Sequence, residues 1–171
     1  MRRSVIGVMG SGEASASTNA AALELGRLIA ERGWVLLTGG RPVGVMAAAC
    51  AGAKQVAGSL TLGILPSSSG GVGADVDLAV FTGMGDARNA INVLSSDVVV
   101  ACGVEGPGTA SEVALGLKAA KPVILLAAAP QAAAFFRELQ GAGRLLEAGS
   151  ALEAVRLIEE VLQVQRGPLW A

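Results

Sequence analysis

Two charged residues, Arg88 and Glu112, occupy positions where alternating strands and helices would place catalytic or ligand-binding side chains. Arg88 falls in the first turn of an expected helix, where a cation opposes the helix dipole. We therefore expect Arg88 to have an anionic partner, either a protein carboxylate or a ligand phosphate. Glu112 falls about one turn inside another expected helix, three residues after Thr109. It is either the returning half of a capping box with Thr109 or a catalytic carboxylate that faces a pocket.

Four glycine-rich segments follow expected strands, at residues 10–15, 38–46, 82–89 and 103–112. Glycine lets a ligand approach the backbone closely. The last segment is the strongest candidate, because a strand ends at Cys102, a glycine loop follows, and a helix starts near Thr109. The free N–H groups and the positive dipole end of that helix would form an anion site. In the third segment, Asp86 is a candidate N-cap.

The first two segments have plainer alternatives, a tight strand-to-helix turn and simple packing. Residues 10–15 are close to the pattern G-x-G-x-x-G/A, with Ser15 as the third small residue. A dinucleotide site also needs an acidic residue at the end of the second strand. Residues 37–40 contain none, so we disfavour NAD. The first segment can still hold a phosphate or a sugar through its backbone N–H groups.

The amino-acid composition excludes several kinds of chemistry. The sequence contains no His and no Tyr, so one chain cannot form a Ser-His-Asp triad, a Cys-His pair or a His-ligated metal site. Acid–base chemistry must use carboxylates, Lys, Arg or a ligand phosphate, and we expect no metal site. Cys50 and Cys102 have apolar neighbours, and we interpret both as small core residues.

Charge and hydropathy indicate a cytoplasmic protein that binds neither nucleic acid nor membrane. The formal net charge is −1, and no basic block exceeds the pair Arg2-Arg3, so the sequence has no electrostatic footprint for nucleic acid. No apolar run reaches the ~18 residues that a bilayer-spanning helix needs. The apolar stretch after Arg2-Arg3 is too short for a signal peptide.

Short β-branched runs alternate with longer alanine- and leucine-rich stretches, which is typical of βαβ units. We predict a single-domain, Rossmann-like α/β fold over residues 1–171, with a mainly parallel sheet of six to seven strands and helices on both faces. The predicted strands are Ser4–Met9, Trp34–Leu37, Leu60–Leu65, Leu78–Phe81, Asp97–Ala101 and Val123–Leu126. The predicted helices are Thr18–Arg32, Val43–Ala57, Ala87–Leu94, Thr109–Ala120, Ala132–Gln140 and Ala151–Gln165.

Taken in order, these loops resemble the LOG family, once labelled "possible lysine decarboxylase", and even more its relatives, the molybdenum-cofactor carrier-like proteins. The likeness runs from about Val5 to Leu126. The residues that carry it, which the resemblance implies as ligand- or phosphate-binding positions, are Gly10, Ser11, Gly12, Thr38, Gly39, Gly40, Gly44, Met46, Asn89, Gly106, Gly108 and Thr109, with Arg88 and Glu112 as the catalytic pair.

The resemblance implies hydrolysis of the N-glycosidic bond of a nucleoside 5′-monophosphate to free base and ribose 5-phosphate, with no cofactor required. Two departures are typical of the carrier-like branch, Arg88-Asn89 in place of Arg-Lys and Glu105-Gly106-Pro107-Gly108-Thr109 in place of P-G-G-x-G-T. The alternative is therefore a non-enzymatic carrier of molybdenum cofactor or a related pterin or nucleotide phosphate. Lysine decarboxylation by pyridoxal phosphate is excluded, because none of the three lysines lies in the glycine-rich loops.

Assembly and two peripheral segments complete the expectations. Apolar residues make up 52% of the chain and charged residues 16%, and this apolar surplus together with the family resemblance predicts a homodimer or homotetramer. The segment 67–74 is either a mobile lid or a flexible connection. In the tail at residues 166–171, Trp170 is a candidate for packing against a partner subunit.

Overall fold

The computed structural model describes residues 2–141 and 143–166 as one seven-stranded sheet with helices on both faces. The strands are β1 (Val5–Met9), β2 (Val35–Thr38), β3 (Leu60–Leu65), β4 (Leu78–Phe81), β5 (Val98–Cys102), β6 (Pro122–Leu126) and β7 (Arg144–Ala148). The α-helices are α1 (Ala16–Glu31), α2 (Gly44–Ala53), α3 (Asn89–Ser95), α4 (Pro107–Lys118), α5 (Pro130–Leu139) and α6 (Ala151–Arg166), and a 3₁₀ turn at Gly85–Arg88 precedes α3.

All six strand pairings are parallel, in the order β4-β3-β2-β1-β5-β6-β7. The predicted α/β Rossmann-like class is confirmed, and the sheet is parallel throughout. Strand order reverses between β1 and β5, since β2 to β4 lie on one side of β1 and β5 to β7 on the other. Ligands of open parallel sheets bind beyond the carboxyl ends of the strands at such a point.

The sheet separates two apolar cores. Helices α1, α2 and α6 pack on one face, with Leu25, Val45 and Ile158 fully buried. Helices α3, α4 and α5 pack on the other. The first layer is unusually tight, because a Cβ at Gly26 of α1 would lie 1.9 Å from the carbonyl oxygen of Ala49 in α2. Only glycine permits that backbone contact, which fixes α2 and the loop before it.

Three predicted helix boundaries were wrong, and local features at the helix start explain two of them. Helix α1 begins at Ala16 because the Ser15 hydroxyl accepts a hydrogen bond from the Thr18 N–H. Helix α4 begins at Pro107, which needs no hydrogen-bond acceptor for its nitrogen at this position. Helix α2 ends at Ala53, four residues before the predicted Ala57.

Strand β7 was not predicted at all. Its sequence, RLLEA, has no β-branched or aromatic residue, and as the edge strand beside β6 it is only partly buried. Gly33 was correctly placed at the end of α1, with φ of +68°. Trp170 lies outside the described residues. Within the described ranges, every helix is too short or too polar to cross a membrane.

Candidate functional site

A cavity of about 230 Å³ opens beyond the carboxyl ends of β1 and β5, at the point where strand order reverses. It brings together most of the residues predicted to form the site, from all four glycine-rich segments. The predicted residues that line it are Gly10, Ser11, Gly12, Gly39, Met46, Arg88, Asn89, Gly106, Gly108, Thr109 and Glu112. Arg88 and Glu112 therefore face the same hollow.

Thr38, Gly40 and Gly44 were also predicted to bind the ligand, but they lie outside the lining of this cavity. The Thr38 hydroxyl is fully buried and accepts a hydrogen bond of 3.1 Å from the Gly40 N–H. Gly44 has φ of +53°, and a Cβ there would lie 2.1 Å from the carbonyl oxygen of Ser11. These residues shape the loop after β2 and hold it against the loop after β1.

The Arg88 side chain is 8% exposed. Its Nε and Nη1 atoms have no hydrogen-bond partner among the described residues. Burial lowers the pKa of the guanidinium, while the charge of Glu112 acts to raise it and that of Arg41 to lower it. The guanidinium lies against Gly39, where a Cβ would be 2.4 Å from Nη1. A buried cation with unused donors is set up to receive an anion.

The prediction that Asp86 is an N-cap was wrong. It lies inside the 3₁₀ turn Gly85–Arg88, which begins after Met84 and has no side-chain cap. Arg88 ends this turn and immediately precedes α3. The Asp86 side chain lines the cavity instead.

Glu112 does not form a capping box with Thr109. It lies in the second turn of α4, 7% exposed, and its Oε1 accepts a hydrogen bond of 3.0 Å from Nδ2 of Asn92. Burial raises the pKa of the carboxyl to about 6, and the opposing effects of Asn92 and Arg88 are smaller. Desolvation therefore outweighs the attraction of Arg88 in setting the pKa of Glu112.

The amino end of α4 forms part of the cavity wall. Gly106 is the N-cap, Pro107 occupies N1, and Gly108 and Thr109 follow. The N–H groups of Gly108 and Thr109 have no acceptor within the helix, because both residues lie in its first turn. Thr109 is 2% exposed, and its buried hydroxyl has no hydrogen-bond partner among the described residues. Backbone and side-chain donors of α4 thus line the same cavity as Arg88.

Asn89 lines the cavity, and its side-chain amide also donates a hydrogen bond within the protein. Its Nδ2 donates a hydrogen bond of 3.0 Å to Oγ of Ser111, and that hydroxyl donates to the carbonyl oxygen of Gly108 at 2.7 Å. The chain from Asn89 to Gly108 fixes the start of α4 relative to the start of α3. Asn89 therefore supports the site as well as lining it.

Sequence reasoning missed three residues of the site. Arg41 lines the cavity beside Gly12, with Nη2 3.2 Å from the position of a Cβ there. Asn92 donates a hydrogen bond to Glu112, and its helical spacing from Arg88 in the sequence was the available signal. Glu105 accepts hydrogen bonds from the Ser15 N–H at 2.9 Å and the Thr18 hydroxyl at 2.6 Å. These bonds lower the pKa of the Glu105 carboxyl and join the loop before α4 to the start of α1.

A second cavity, of about 210 Å³, adjoins the first. Arg41 and Met46 line both. The second cavity reaches the segment 67–74, where the Gly73 N–H donates a hydrogen bond of 2.8 Å to the carbonyl oxygen of Gly40. Cys50 lines it and Cys102 lies elsewhere in the core; both thiols are buried and free, and burial raises the pKa of Cys102 to about 12.

Comparison with known proteins places this geometry in a family. A 50% identical chain, the molybdenum cofactor binding protein of the phototrophic bacterium Rippkaea orientalis, superposes with a TM-score of 0.90 over 95% of this chain and 99% of its own. The molybdenum cofactor carrier protein of Chlamydomonas reinhardtii is 48% identical, with a TM-score of 0.86 over 94% of this chain and 99% of its own.

An uncharacterized protein of Archaeoglobus fulgidus is 44% identical over 126 residues, which span 74% of this chain and 82% of that protein. The model of the SLOG cluster4 family matches residues 3–155. That match includes every strand of the sheet and all four glycine-rich segments, so the resemblance inferred from the motifs is confirmed. The chain belongs to the SLOG cluster4 family.

Proposed function

We propose that this protein binds and carries molybdenum cofactor or a closely related phosphate-bearing pterin. Two solved proteins that are 48–50% identical to it over nearly its whole length are described as binding or carrying that cofactor. Identity of this order over a shared sheet supports a shared ligand class. A non-enzymatic carrier of this cofactor was already the alternative to a hydrolase that the sequence motifs offered.

The observation that carries the proposal is a set of buried donors without acceptors. Nε and Nη1 of Arg88 and the hydroxyl of Thr109 lie in one cavity, and none has a partner among the described residues. A buried polar group without a partner costs about 1–3 kcal/mol. An oxyanion between Arg88 and the start of α4 would satisfy all three donors at once.

The fold supplies the rest of a phosphate site. The N–H groups of Gly106, Gly108 and Thr109 lie at the positive end of the dipole of a twelve-residue helix. Gly108 leaves open space on its side, since a Cβ there would meet nothing within 4 Å. The phosphate of a bound pterin would dock on these groups, and Arg88 would hold it with charge-assisted hydrogen bonds.

The proposal is tested by what co-purifies with the protein. Wild-type protein from cells that make the cofactor should carry molybdenum, measured by mass spectrometry, and a pterin, measured by fluorescence after oxidation. Arg88→Ala and Thr109→Val should carry much less of both, whereas Arg3→Ala, which changes an exposed arginine, should match the wild type. Wild-type protein that carries no pterin, or variants that carry as much, would contradict the proposal.

A second candidate function, hydrolysis of a nucleoside 5′-monophosphate, is favoured by the placement of Glu112 and Arg88 on one cavity. Water would add its oxygen to C1′ of the ribose as the bond to the base nitrogen breaks, and a proton would pass to the base. Glu112 would orient the water or stabilise oxocarbenium character on the ribose. Arg88 would hold the phosphate.

Incubation with AMP separates the two functions. Release of adenine by the wild type, abolished by Glu112→Gln although AMP still binds, would establish hydrolysis. Binding of AMP without release of adenine, over many hours and at equal protein and nucleotide concentrations, would leave carriage as the function of the cavity.

A further inference from the structure

The second cavity adjoins the proposed phosphate site. Arg41 and Met46 line both hollows, so these two side chains lie at the border between them. Each cavity alone is smaller than the ~300–1,000 Å³ typical of small-molecule sites, whereas the pair falls within that range. A phosphate ester that docks beside Arg88 would extend its heterocycle into the second cavity.

Asp75 is the one acidic residue in the lining of the second cavity, and its charge acts on the Cys50 thiol of the same lining. Asp75 is half-buried, and its carboxylate forms no hydrogen bond or ion pair with any described residue. Asp77, two residues later, shows the contrast, because its carboxylate binds Lys54 and accepts a hydrogen bond from the Thr61 N–H. The Thr61 hydroxyl also donates a hydrogen bond of 2.6 Å to the carbonyl oxygen of Asp75. Asp75 is thus held in place with its carboxylate unused.

Apart from Arg41, the other lining residues of the second cavity are uncharged. Most of the lining is apolar or small, including Pro42, Met46 and Val76. Burial raises the pKa of the Cys50 thiol, which stays neutral. A flat ring can pack on such walls, and only its polar edge needs a matched partner.

We propose that Asp75 recognises the 2-amino-4-oxopyrimidine edge that pterins and guanine share. That edge presents a ring N–H and an adjacent amino group, two donors side by side, and a carboxylate accepts such a pair with both oxygens. Adenine presents an acceptor beside a donor and leaves one carboxylate oxygen facing a lone pair. This inference rests on the proposed phosphate site, because the phosphate sets which end of the ligand reaches Asp75.

Binding of GMP, IMP and AMP, measured by isothermal titration calorimetry, tests the inference with three ligands that carry the same phosphate and sugar. GMP offers two donors, IMP one, and AMP a donor beside an acceptor. Wild-type protein should bind GMP most tightly, with AMP at least about tenfold weaker, the usual consequence of losing a hydrogen bond to a charged group. IMP should fall between them.

Asp75→Asn should reverse this order. Its side chain keeps the shape of aspartate but offers a donor beside an acceptor, which matches adenine and mismatches guanine. Glu24→Gln removes the charge of an exposed carboxylate on α1 and should leave all three affinities unchanged. Unaltered unfolding temperatures would show that both variants fold.

The outcomes separate this inference from the proposed function. Equal affinity of the wild type for GMP and AMP, or a preference for GMP that survives in Asp75→Asn, would overturn the role of Asp75 and leave the phosphate site standing. Failure of the wild type to bind any of the three nucleotides would overturn the phosphate site, and the role of Asp75 with it.

Discussion

Gly39 lies directly against Arg88: a Cβ at Gly39 would stand 2.4 Å from Nη1 and 2.8 Å from Nη2 of the guanidinium. The same Cβ would lie 2.8 Å from Sδ of Met46. Gly39 directly follows β2. Its lack of a side chain leaves room for the buried guanidinium of Arg88. The position of Arg88 depends on this absence of a side chain.

We predict that Gly39→Ala will displace the Arg88 guanidinium and weaken binding of inorganic phosphate about as much as Arg88→Ala does. The reason is steric, because the added methyl group would occupy space that the Arg88 guanidinium now fills. Calorimetric titration with phosphate measures the effect. Gly149→Ala is the control, because a Cβ there meets only the Glu153 carboxylate at 3.6 Å. Phosphate affinity that survives in Gly39→Ala would show that Arg88 is not a ligand-binding group.

The pKa of Glu112, raised to about 6, predicts a pH dependence of anion binding. Above pH 6 the ionised carboxylate repels an anion in the same cavity, so affinity for sulfate should fall as pH rises from 5 to 7. Each unit by which bound sulfate raises this pKa corresponds to about a tenfold change in affinity. Sulfate is the right probe because its charge is constant over this range. Glu112→Gln should bind sulfate equally at both pH values; a pH dependence that persists in this variant would assign it to another group.

The raised pKa of Glu112 also makes the stability of the folded protein depend on pH. Because its folded pKa lies above its ordinary value of 4.5, it favours folding below pH 4.5, and that contribution is lost as pH rises through 6. Glu112→Gln should therefore gain stability relative to the wild type at pH 8, by roughly 1–2 kcal/mol. Denaturant unfolding at pH 8 and pH 5 measures the difference. A variant that is less stable at pH 8 would contradict the pKa shift.

The unpartnered hydroxyl of Thr109 leads to opposite effects on stability and binding. Thr109→Val keeps the shape and removes an unsatisfied buried group, so the free energy of unfolding should stay equal or rise by up to about 1 kcal/mol. Phosphate affinity should fall several-fold. In the matched control, Thr61→Val, stability should drop, because that hydroxyl donates to the carbonyl oxygen of Asp75. Loss of stability without loss of affinity in Thr109→Val would assign the hydroxyl a structural role.

The edge strand β4 carries the prediction of self-association. Leu78, Val80 and Phe81 are 53%, 46% and 43% exposed, and the outer edge of the strand has no partner in the described sheet. Exposed apolar edges of this kind favour contact with another chain. Val80→Lys should reduce the mass measured by sedimentation. Val164→Lys, at an exposed valine of α6, should not. A monomeric wild type, or an assembly that Val80→Lys leaves intact, would contradict the prediction.

Strand positions were sufficient to predict six of the seven strands, and the glycine spacing together with the family resemblance was sufficient to predict that Arg88 and Glu112 face one cavity. The loops that follow parallel strands meet at one edge of the sheet, because the carboxyl ends of the strands share that edge. The sequence left Glu112 open between a capping box and a pocket carboxylate, since the pattern Thr109-x-x-Glu112 fits both. The position of Asn92 and the start of α4 at Pro107 decided between them.

Long-range contacts explain what the sequence did not reveal. Glu105 bonds to residues about 90 positions earlier in the chain, and no local pattern indicates such a partner. Asp75 directly follows the segment 67–74, which the sequence left open between a mobile lid and a flexible connection. Its unused carboxylate becomes visible when Asp77 is seen to be fully engaged by Lys54 and Thr61.

A crystal structure of the protein with molybdenum cofactor bound, grown without oxygen, tests the central claim most directly. The phosphate should lie within hydrogen-bond distance of Arg88, the Thr109 hydroxyl and the Gly108 N–H. A cofactor bound away from this cavity, or one whose phosphate points into solvent while those donors stay unpaired, would contradict the account.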